Sequence, residues 1–255
     1  MSAGPPLLAL AERLDDAAFN AKATPQLEVP ISLEDAYAVQ RASIERRLAR
    51  GEHRIGLKMG FTSRAKMVQM GVSDLIWGRL TSGMRVEDGG SIALEAYIHP
   101  RVEPEVAFLI GKPLAGNVTI PQAVAAVEAV APALEIIDSR YENFRFSLTD
   151  VVADNSSSSG FVVGPWSRPS TDVSNLGLVM AFNGRPQALG STAAILGHPM
   201  RSLISAARVV AEAGEVLSPG DLVLAGGATA AAALLPGTFV SLEVERLGRC
   251  GFHVS

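Results

Sequence analysis

Three glutamates in two apolar segments are the residues of this sequence that are best suited to chemistry. Glu103 and Glu105 flank a proline in one segment, and Glu135 lies in the other. Side chains two apart on an extended strand point to the same face, so Glu103 and Glu105 form a carboxylate pair while Pro104 points away. Buried carboxylates are costly unless a positive group compensates them, and a hard divalent cation with oxygen ligands does so. The pattern points to metal-dependent chemistry on an oxo-acid.

Spacing alone leaves two interpretations of these acids open. A set made only of carboxylates suits Mg²⁺ or Mn²⁺, with the remaining positions filled by water or a chelating substrate. The alternative is an edge strand that carries two solvated acids, with Glu135 in a salt bridge. Zinc is disfavoured, because the four histidines are scattered and form no H-x-x-x-H pair.

A lysine and two polar loops are further candidates. Lys58 lies between two glycines on an apolar strand, where it can bind a substrate carboxylate or exchange protons. The simpler alternative is a lysine that extends to solvent at the strand end. Residues 154–160 carry Asn155 and four serines, which suit anion binding or a turn with local hydrogen bonds. Residues 226–230 form either a glycine turn or a loop that closes on a substrate, and match no phosphate loop.

Composition and charge disfavour several classes of protein. The chain has 255 residues, of which 48% are hydrophobic and 19% charged, which suffices for a core. A net charge of −4 without basic runs offers no footprint for nucleic acid or an anionic membrane. The single cysteine, Cys250, excludes an internal disulfide and a cysteine-based zinc site. We find no signal-peptide or membrane-spanning pattern, so we expect a soluble protein of the reducing cytoplasm.

Hydrophobic periodicity predicts an N-terminal helical region over residues 1–54 and a β-rich catalytic domain over residues 55–255. The predicted helices span residues 7–19, 32–51, 63–70, 121–130 and 199–213. The predicted strands span residues 55–59, 102–110, 133–137, 161–163, 176–182, 222–224 and 239–244. Asn183-Gly184 predicts a hairpin turn. A mostly β body with a few helices on it fits this order better than alternating βαβ units.

A set of motifs runs in order over nearly the whole chain from about residue 55. The motifs are Gly56-Leu-Lys-Met-Gly-Phe-Thr-Ser63, Met70-Gly-Val72, His99-Pro-Arg-Val-Glu-Pro-Glu105, Pro132-Ala-Leu-Glu-Ile-Ile-Asp-Ser-Arg140, Val152-Ala-Asp-Asn155 and Leu196-Gly-His-Pro199. As a set they are highly specific. The chain resembles the hydratase/decarboxylase family of meta-cleavage catabolism, which belongs to the fumarylacetoacetate hydrolase superfamily.

The resemblance implies an α+β fold, with a mixed β-roll or sandwich catalytic domain of the fumarylacetoacetate hydrolase type and an N-terminal helical region. It implies Mg²⁺ or Mn²⁺ on Glu103, Glu105 and Glu135. The other expected site residues are Lys58, Asn155 and Ser159 as catalytic groups, and Ile76, Arg140 and Thr229 as substrate-binding groups. A homo-oligomer and a complex with a partner hydratase are further expectations.

The reaction that the resemblance favours is decarboxylation of 2-oxo-3-hexenedioate to 2-hydroxypenta-2,4-dienoate and CO2. Ile76 stands where hydratases of the family carry an acid, although Asp74 permits a different alignment. Residues 141–144 and 226–231 also look decarboxylase-like. Gly160 departs from the pattern, because some decarboxylases have an arginine there. If that arginine holds the distal carboxylate in those decarboxylases, another arginine has to replace it here, namely Arg140, Arg145 or Arg79.

Three other functions stay open at this point. A 2-oxopent-4-enoate hydratase needs an acid or base that delivers water, which Ile76 cannot do. A C–C hydrolase of acylpyruvates needs a histidine–acid pair, for which His53 and Glu52 are the weak candidates. A non-catalytic subunit that supports a partner hydratase is the third.

Overall fold

Helices and two β-sheets make up the part of the chain that the computed structural model describes, residues 5–63 and 75–255. The helices α1 to α5 of these residues are Pro5–Phe19, Leu33–Ala49, Ile120–Ala126, Leu148–Ala153 and Pro199–Glu212. The helix predicted over residues 63–70 and the motif at residues 70–72 lie outside the described part, apart from Ser63. No helix within the described residues is long and apolar enough to cross a membrane.

The first sheet carries the glutamates. Its seven strands are β1 (Arg54–Gly60), β2 (Ile76–Thr81), β4 (Arg101–Ile110), β5 (Val127–Ile137), β6 (Ser158–Val163), β9 (Leu222–Leu224) and β10 (Ala232–Ala233). The order is β2-β1-β9-β4-β5-β6, and β10 pairs with the start of β4. The β1–β9 pair is parallel and the other pairs are antiparallel, so the sheet is mixed.

The second sheet packs on the first. Its strands are β3 (Ser91–Ile92), β7 (Gly177–Phe182), β8 (Arg185–Ser191), β11 (Thr238–Val244) and β12 (Gly248–Val254), in the order β3-β12-β11-β7-β8. Strands β11 and β12 contact β5 of the first sheet. The predicted hairpin turn is confirmed, because Asn183 and Gly184 join β7 to β8 with positive φ angles of 48° and 76°.

Two apolar clusters explain how the helices sit on this body. Helices α3 and α5 belong to the large cluster that fills the space between the sheets, for example through Ala123 and Leu203. Helices α1 and α2 instead pack with α4 in a separate cluster that includes Ile76 of β2. The N-terminal helices therefore rest directly on a strand of the first sheet. The division of the chain at residue 54 stays a prediction.

Several element predictions need correction. The helix predicted over residues 121–130 ends at Ala126, because the next residues pair as strand β5 with the end of β4. Val127 and Val130 are buried there, and β-branched side chains suit a strand. Some elements were not predicted from the sequence, namely strands β2, β3, β8, β10 and β12 and helix α4. The prediction failed at β8 because most of its residues are exposed on an outer strand and show no apolar alternation.

Gly56 gives a test of this packing. Its φ is +149°, and a Cβ there would lie 2.0 Å from the carbonyl oxygen of Leu222 on the neighbouring strand β9. We expect Gly56→Ala to lower the free energy of unfolding by more than about 3 kcal/mol, measured by chemical denaturation. Gly177→Ala is the matched control, because a Cβ at Gly177 meets no atom closer than 4.0 Å. Equal stability of the two variants would contradict the close β1–β9 approach.

Candidate metal centre and active-site cavity

The pairing of β4 with β5 brings the three glutamates together. Glu103 lies directly opposite Glu135, and Glu105 is two residues further along the same face of β4. One carboxylate oxygen from each residue lies within 4.8 Å of the others. All three side chains are buried, and β4 is an interior strand between β9 and β5. The alternative of solvated acids on an edge strand is therefore wrong.

Pro104 is tolerated in this interior strand because a loop, not a strand, runs beside it. The Pro104 carbonyl accepts a hydrogen bond from the Ala228 amide at 2.8 Å, so its missing N–H faces the loop that joins β9 to β10. In the same loop the Gly226 amide donates to Glu105 Oε2 at 2.7 Å. A Cβ at Gly227 would lie 2.6 Å from Glu103 Oε2. The two glycines thus let the loop backbone lie against the carboxylates.

Lys58 belongs to the same cluster. Its Nζ lies 3.0 Å from Glu135 Oε2, and the side chain is buried, so the interpretation of a solvent-reaching lysine is wrong. Burial alone would lower the pKa of Lys58, but Glu135, together with Glu105 and Glu103, raises that pKa above its ordinary value. Lys58 is therefore a fixed ammonium in this arrangement.

The carboxylates are not balanced by Lys58 alone. Burial raises the pKa of Glu105 well above its ordinary value, and the charge of Glu135 adds to the effect while Lys58 opposes it. Burial likewise raises the pKa of Glu135. Glu105 Oε1 and Glu135 Oε1 are buried and have no hydrogen-bond partner among the described residues. Buried carboxylate oxygens that lie close together and lack donors among the described residues fit a hard divalent cation.

The cluster opens into a cavity of about 340 Å³. Lys58 and Glu103 form its charged end, and an apolar wall with one mouth arginine surrounds the rest. The wall residues in the described part of the chain are Gly60, Phe61, Ile76, Arg101, Ile137, Phe144, Phe146, Val151, Ser156, Ser157, Ala230 and Ala231. A charged end facing a mainly apolar wall is typical of a small-molecule site.

Two of the predicted catalytic groups lie elsewhere. The Asn155 side chain binds the backbone of β2, with Nδ2 donating to the Arg79 carbonyl at 2.9 Å and Oδ1 accepting from its amide at 2.7 Å. Ser159 Oγ accepts a hydrogen bond from the Arg140 guanidinium at 2.5 Å, beside a separate cavity of about 230 Å³. The structure therefore does not bring Asn155 or Ser159 to the cavity with the glutamates. Their catalytic roles stay predictions.

The predicted substrate-binding residues divide in the same way. Ile76 lines the cavity beside Lys58. Arg140 is buried, forms an ion pair with Asp154 and lines the second cavity, so it does not face the glutamates. Thr229 is half-buried in the glycine loop, while the next two residues line the cavity. The roles of Arg140 and Thr229 stay predictions.

The absence of an arginine at position 160 does not affect this cavity. Gly160 pairs with Ile136, whereas Glu135 pairs with the next residue, Phe161, so position 160 faces the opposite side of the sheet. A Cβ at Gly160 would meet Ile136 and the Tyr97 hydroxyl. Arg79, one of the suggested replacements, pairs with Glu215 away from the cavity.

The histidine–acid pair that a hydrolase needs is also absent from the cavity lining in the described residues. Glu52 is held by Arg47 and by the Thr81 hydroxyl, and neither Glu52 nor His53 faces the glutamates. The suggested pair therefore supplies no base for water next to the metal site.

Sequence reasoning missed several residues that do line the cavity. Ser157 is buried, and its Oγ has no hydrogen-bond partner among the described residues. Residues 155–157 all have positive φ angles, and this turn decides which serine of the run faces inward. The serine run could be found from sequence, but the inward-facing member could not. Arg101 could have been found, because it precedes Glu103 by two residues and so shares its strand face.

A metal-dependent enzyme on a curled mixed sheet is the class that this site and fold define, and the chain belongs to the fumarylacetoacetate hydrolase family. The family's C-terminal model matches residues 68–255. A 4-oxalocrotonate decarboxylase from Pseudomonas sp. is 62% identical over 248 residues, which cover 96% of this chain and 97% of the relative.

A solved structure and a hydratase complete the comparison. The 4-oxalocrotonate decarboxylase of Pseudomonas putida G7, complexed with magnesium and adipate, superimposes with a TM-score of 0.94 at 39% identity, covering 98% of this chain and 97% of that one. The TodF product hydratase of Pseudomonas putida is less similar, at 37% identity over 219 residues, which cover 85% of this chain and 82% of the relative. The chain is thus more similar to decarboxylases than to this hydratase.

The glutamate cluster can be tested by metal binding. We expect Glu135→Gln to weaken Mg²⁺ binding by more than about 100-fold, because even residues outside the ligand shell contribute 10- to 100-fold. Isothermal titration calorimetry measures the affinity, and thermal unfolding without metal checks the fold. Glu87→Gln is the control, because the Glu87 side chain is 81% exposed on the surface. Wild-type affinity in Glu135→Gln would rule Glu135 out as a ligand.

Proposed function

We propose that this chain catalyses the metal-dependent decarboxylation of 2-oxo-3-hexenedioate (4-oxalocrotonate) to 2-hydroxypenta-2,4-dienoate and CO2, as a carboxy-lyase. One observation carries the proposal: three buried carboxylates and Lys58 converge at the end of a mainly apolar cavity. The high identity to a 4-oxalocrotonate decarboxylase over almost the full length supports it.

Glu103, Glu105 and Glu135 would hold Mg²⁺ or Mn²⁺. The magnesium complex of the structural relative supports this choice of metal. When bound, such an ion supplies a Lewis acid for the carbonyl oxygen of a 2-oxo acid. The chain itself contributes three buried carboxylates as ligands. The amide of Gly226 in the loop orients one of them by donating a hydrogen bond to Glu105.

Lys58 provides the positive charge that decarboxylation needs. Loss of the distal carboxylate breaks the C5–C6 bond, and its electron pair moves through C4 and C3 to the C2 carbonyl oxygen. The oxygen becomes negative as CO2 leaves, and the Lys58 ammonium can stabilise that charge and then give the oxygen a proton. The ion pair with Glu135 holds Lys58 as an ammonium. Ser157 Oγ lies in the cavity wall without a hydrogen-bond partner among the described residues and would hydrogen-bond a substrate oxygen.

The apolar wall favours loss of CO2 over addition of water. Ile76, Ile137 and Phe146 line the cavity and leave a carboxylate among them poorly solvated. A carboxylate that is poorly hydrated leaves as neutral CO2 more readily, because its charge then moves to the carbonyl oxygen. Ile76 also cannot serve as the acid or base that hydration of the double bond requires.

Assembly and location are further parts of the proposal. We propose a homo-oligomer in the cytoplasm. We also propose that it associates with a partner hydratase, because the product, a 2-hydroxydienoate, is the kind of substrate that a hydratase of this family consumes. Light scattering of the purified chain, alone and mixed with that hydratase, tests both contacts.

Turnover of the purified protein tests the reaction directly. With 2-oxo-3-hexenedioate and Mg²⁺ we expect one CO2 per substrate consumed, and we expect EDTA to stop the release. A CO2 electrode and NMR of the products measure the two outcomes. Hydration without CO2 release would instead identify a hydratase. If neither CO2 nor a hydrated product forms, an accessory subunit is favoured.

Ile76 offers a sharper test of the apolar wall. We expect Ile76→Asp to slow CO2 release by about tenfold or more, because the hydrated side chain brings water into the apolar wall and that water solvates the substrate carboxylate. Ile76→Leu keeps the volume and the apolar surface and should retain most of the activity. Thermal unfolding of both variants is needed, because Ile76 also packs in the cluster of the N-terminal helices. Full activity of a folded Ile76→Asp protein would refute this role.

A further inference from the structure

A second cation lines the cavity and has no role in the reaction described above. Arg101 lies on β4 two residues before Glu103, on the same strand face, and pairs with Ile137 of β5. It lines the cavity, yet the residue as a whole is exposed, so it stands at the mouth. Lys58 and Arg101 therefore bracket the cavity from its closed end and its open end.

The guanidinium of Arg101 is held in place without an acid. Its Cζ lies 4.6 Å from the centroid of the Phe144 ring. That ring in turn contacts His99 at 5.1 Å and Phe146 at 5.7 Å between centroids, which fixes its position.

The charge of Arg101 is also uncommitted. In the described part of the chain no carboxylate pairs with Arg101 and no hydrogen bond from its guanidinium is formed. In contrast, the buried cations of the described residues are all paired: Lys58 with Glu135, Arg79 with Glu215 and Arg140 with Asp154. An oriented but unpaired guanidinium beside a cavity is ready to receive an anionic group of a ligand.

The spacing fits a diacid. Two residues along a strand span about 7 Å, which separates the Arg101 backbone from that of the glutamate at the cavity's charged end. A six-carbon diacid with its 2-oxo-acid end at the glutamates extends over a comparable length. We propose that Arg101, seated on Phe144, binds the distal carboxylate of the substrate and makes the site select diacids over monoacids. This inference rests on the proposed function for the orientation of the substrate.

The chemistry of the contact predicts which step it affects. Arg101 attracts the distal carboxylate while that group is charged, and the attraction fades as the group becomes neutral CO2. An interaction made in the ground state and lost in the transition state helps binding and does not lower the barrier. Removing Arg101 should therefore raise KM for the diacid without lowering kcat. Arg101 is a specificity-determining residue in this scheme.

A pair of unreactive ligands isolates the contact. The test is calorimetry on the Mg²⁺-loaded protein with 2-oxoadipate and with 2-oxohexanoate, which differ only in the distal carboxylate. The wild type should bind 2-oxoadipate about tenfold more tightly or better, as a charge-assisted hydrogen bond implies. Arg101→Gln should bring the ratio of the two affinities close to one, because it should weaken the binding of 2-oxoadipate alone.

Arg185→Gln is the matched control, because Arg185 is exposed on β8 of the second sheet and should keep the wild-type ratio. The proposal is overturned if Arg101→Gln preserves the ratio, or if it weakens both ligands equally. It is overturned as well if the wild type does not distinguish the two ligands. A fall in kcat at unchanged KM with 2-oxo-3-hexenedioate would also contradict it.

The two proposals fail separately. Because the calorimetric ligands do not react, a lost ratio in Arg101→Gln supports the diacid contact even if no CO2 is released from any substrate. Conversely, CO2 release by a protein whose Arg101→Gln variant keeps the wild-type ratio would leave the decarboxylase standing and remove only the role of Arg101.

Discussion

The concentration of negative charge inside the first sheet is the constraint on which the rest of this structure depends. Two adjacent antiparallel strands place three buried carboxylates close together at the end of the cavity. One ammonium, that of Lys58, offsets part of the charge, and a backbone amide from the glycine loop offsets a little more. Desolvation and mutual repulsion still raise the pKa of Glu105 and Glu135. A divalent cation that joins the three carboxylates would offset much of the remaining charge.

The surroundings of this charged cluster determine what it can do. On one side the glycine loop lies against the carboxylates, which leaves no room for side chains there. On the other side the cavity wall is apolar, and Ile76 connects it to the helices at the N-terminus. The N-terminal helices thus support the wall next to the charged end. A charged end and an apolar wall suit a substrate whose distal carboxylate is charged at the start and leaves as neutral CO2.

Much of this was accessible from the sequence, because alternation on a strand is a local property. Glu103, Glu105 and Lys58 could be assigned to apolar strands from their neighbours alone, and the motifs linked them to Glu135. The inward or outward direction of polar loop residues was not accessible. Asn155, Ser157 and Ser159 look alike in sequence, and three successive positive φ angles decide which of them meets the cavity. Arg140 looked like a free cation, but the fold gives it Asp154 as a partner.

The hydrogen bonds of Asn155 have a consequence for the border of the sheet. Strand β2 is its outermost strand, and an outer strand normally exposes backbone groups to which another chain can add. Here the Asn155 amide binds both backbone groups of Arg79, and Gln40 and Ser156 donate to the Trp77 carbonyl. These side chains take the place of a neighbouring strand. The protein's own polar groups thus occupy these backbone groups of Arg79 and Trp77, which another chain would need in order to extend the sheet at β2.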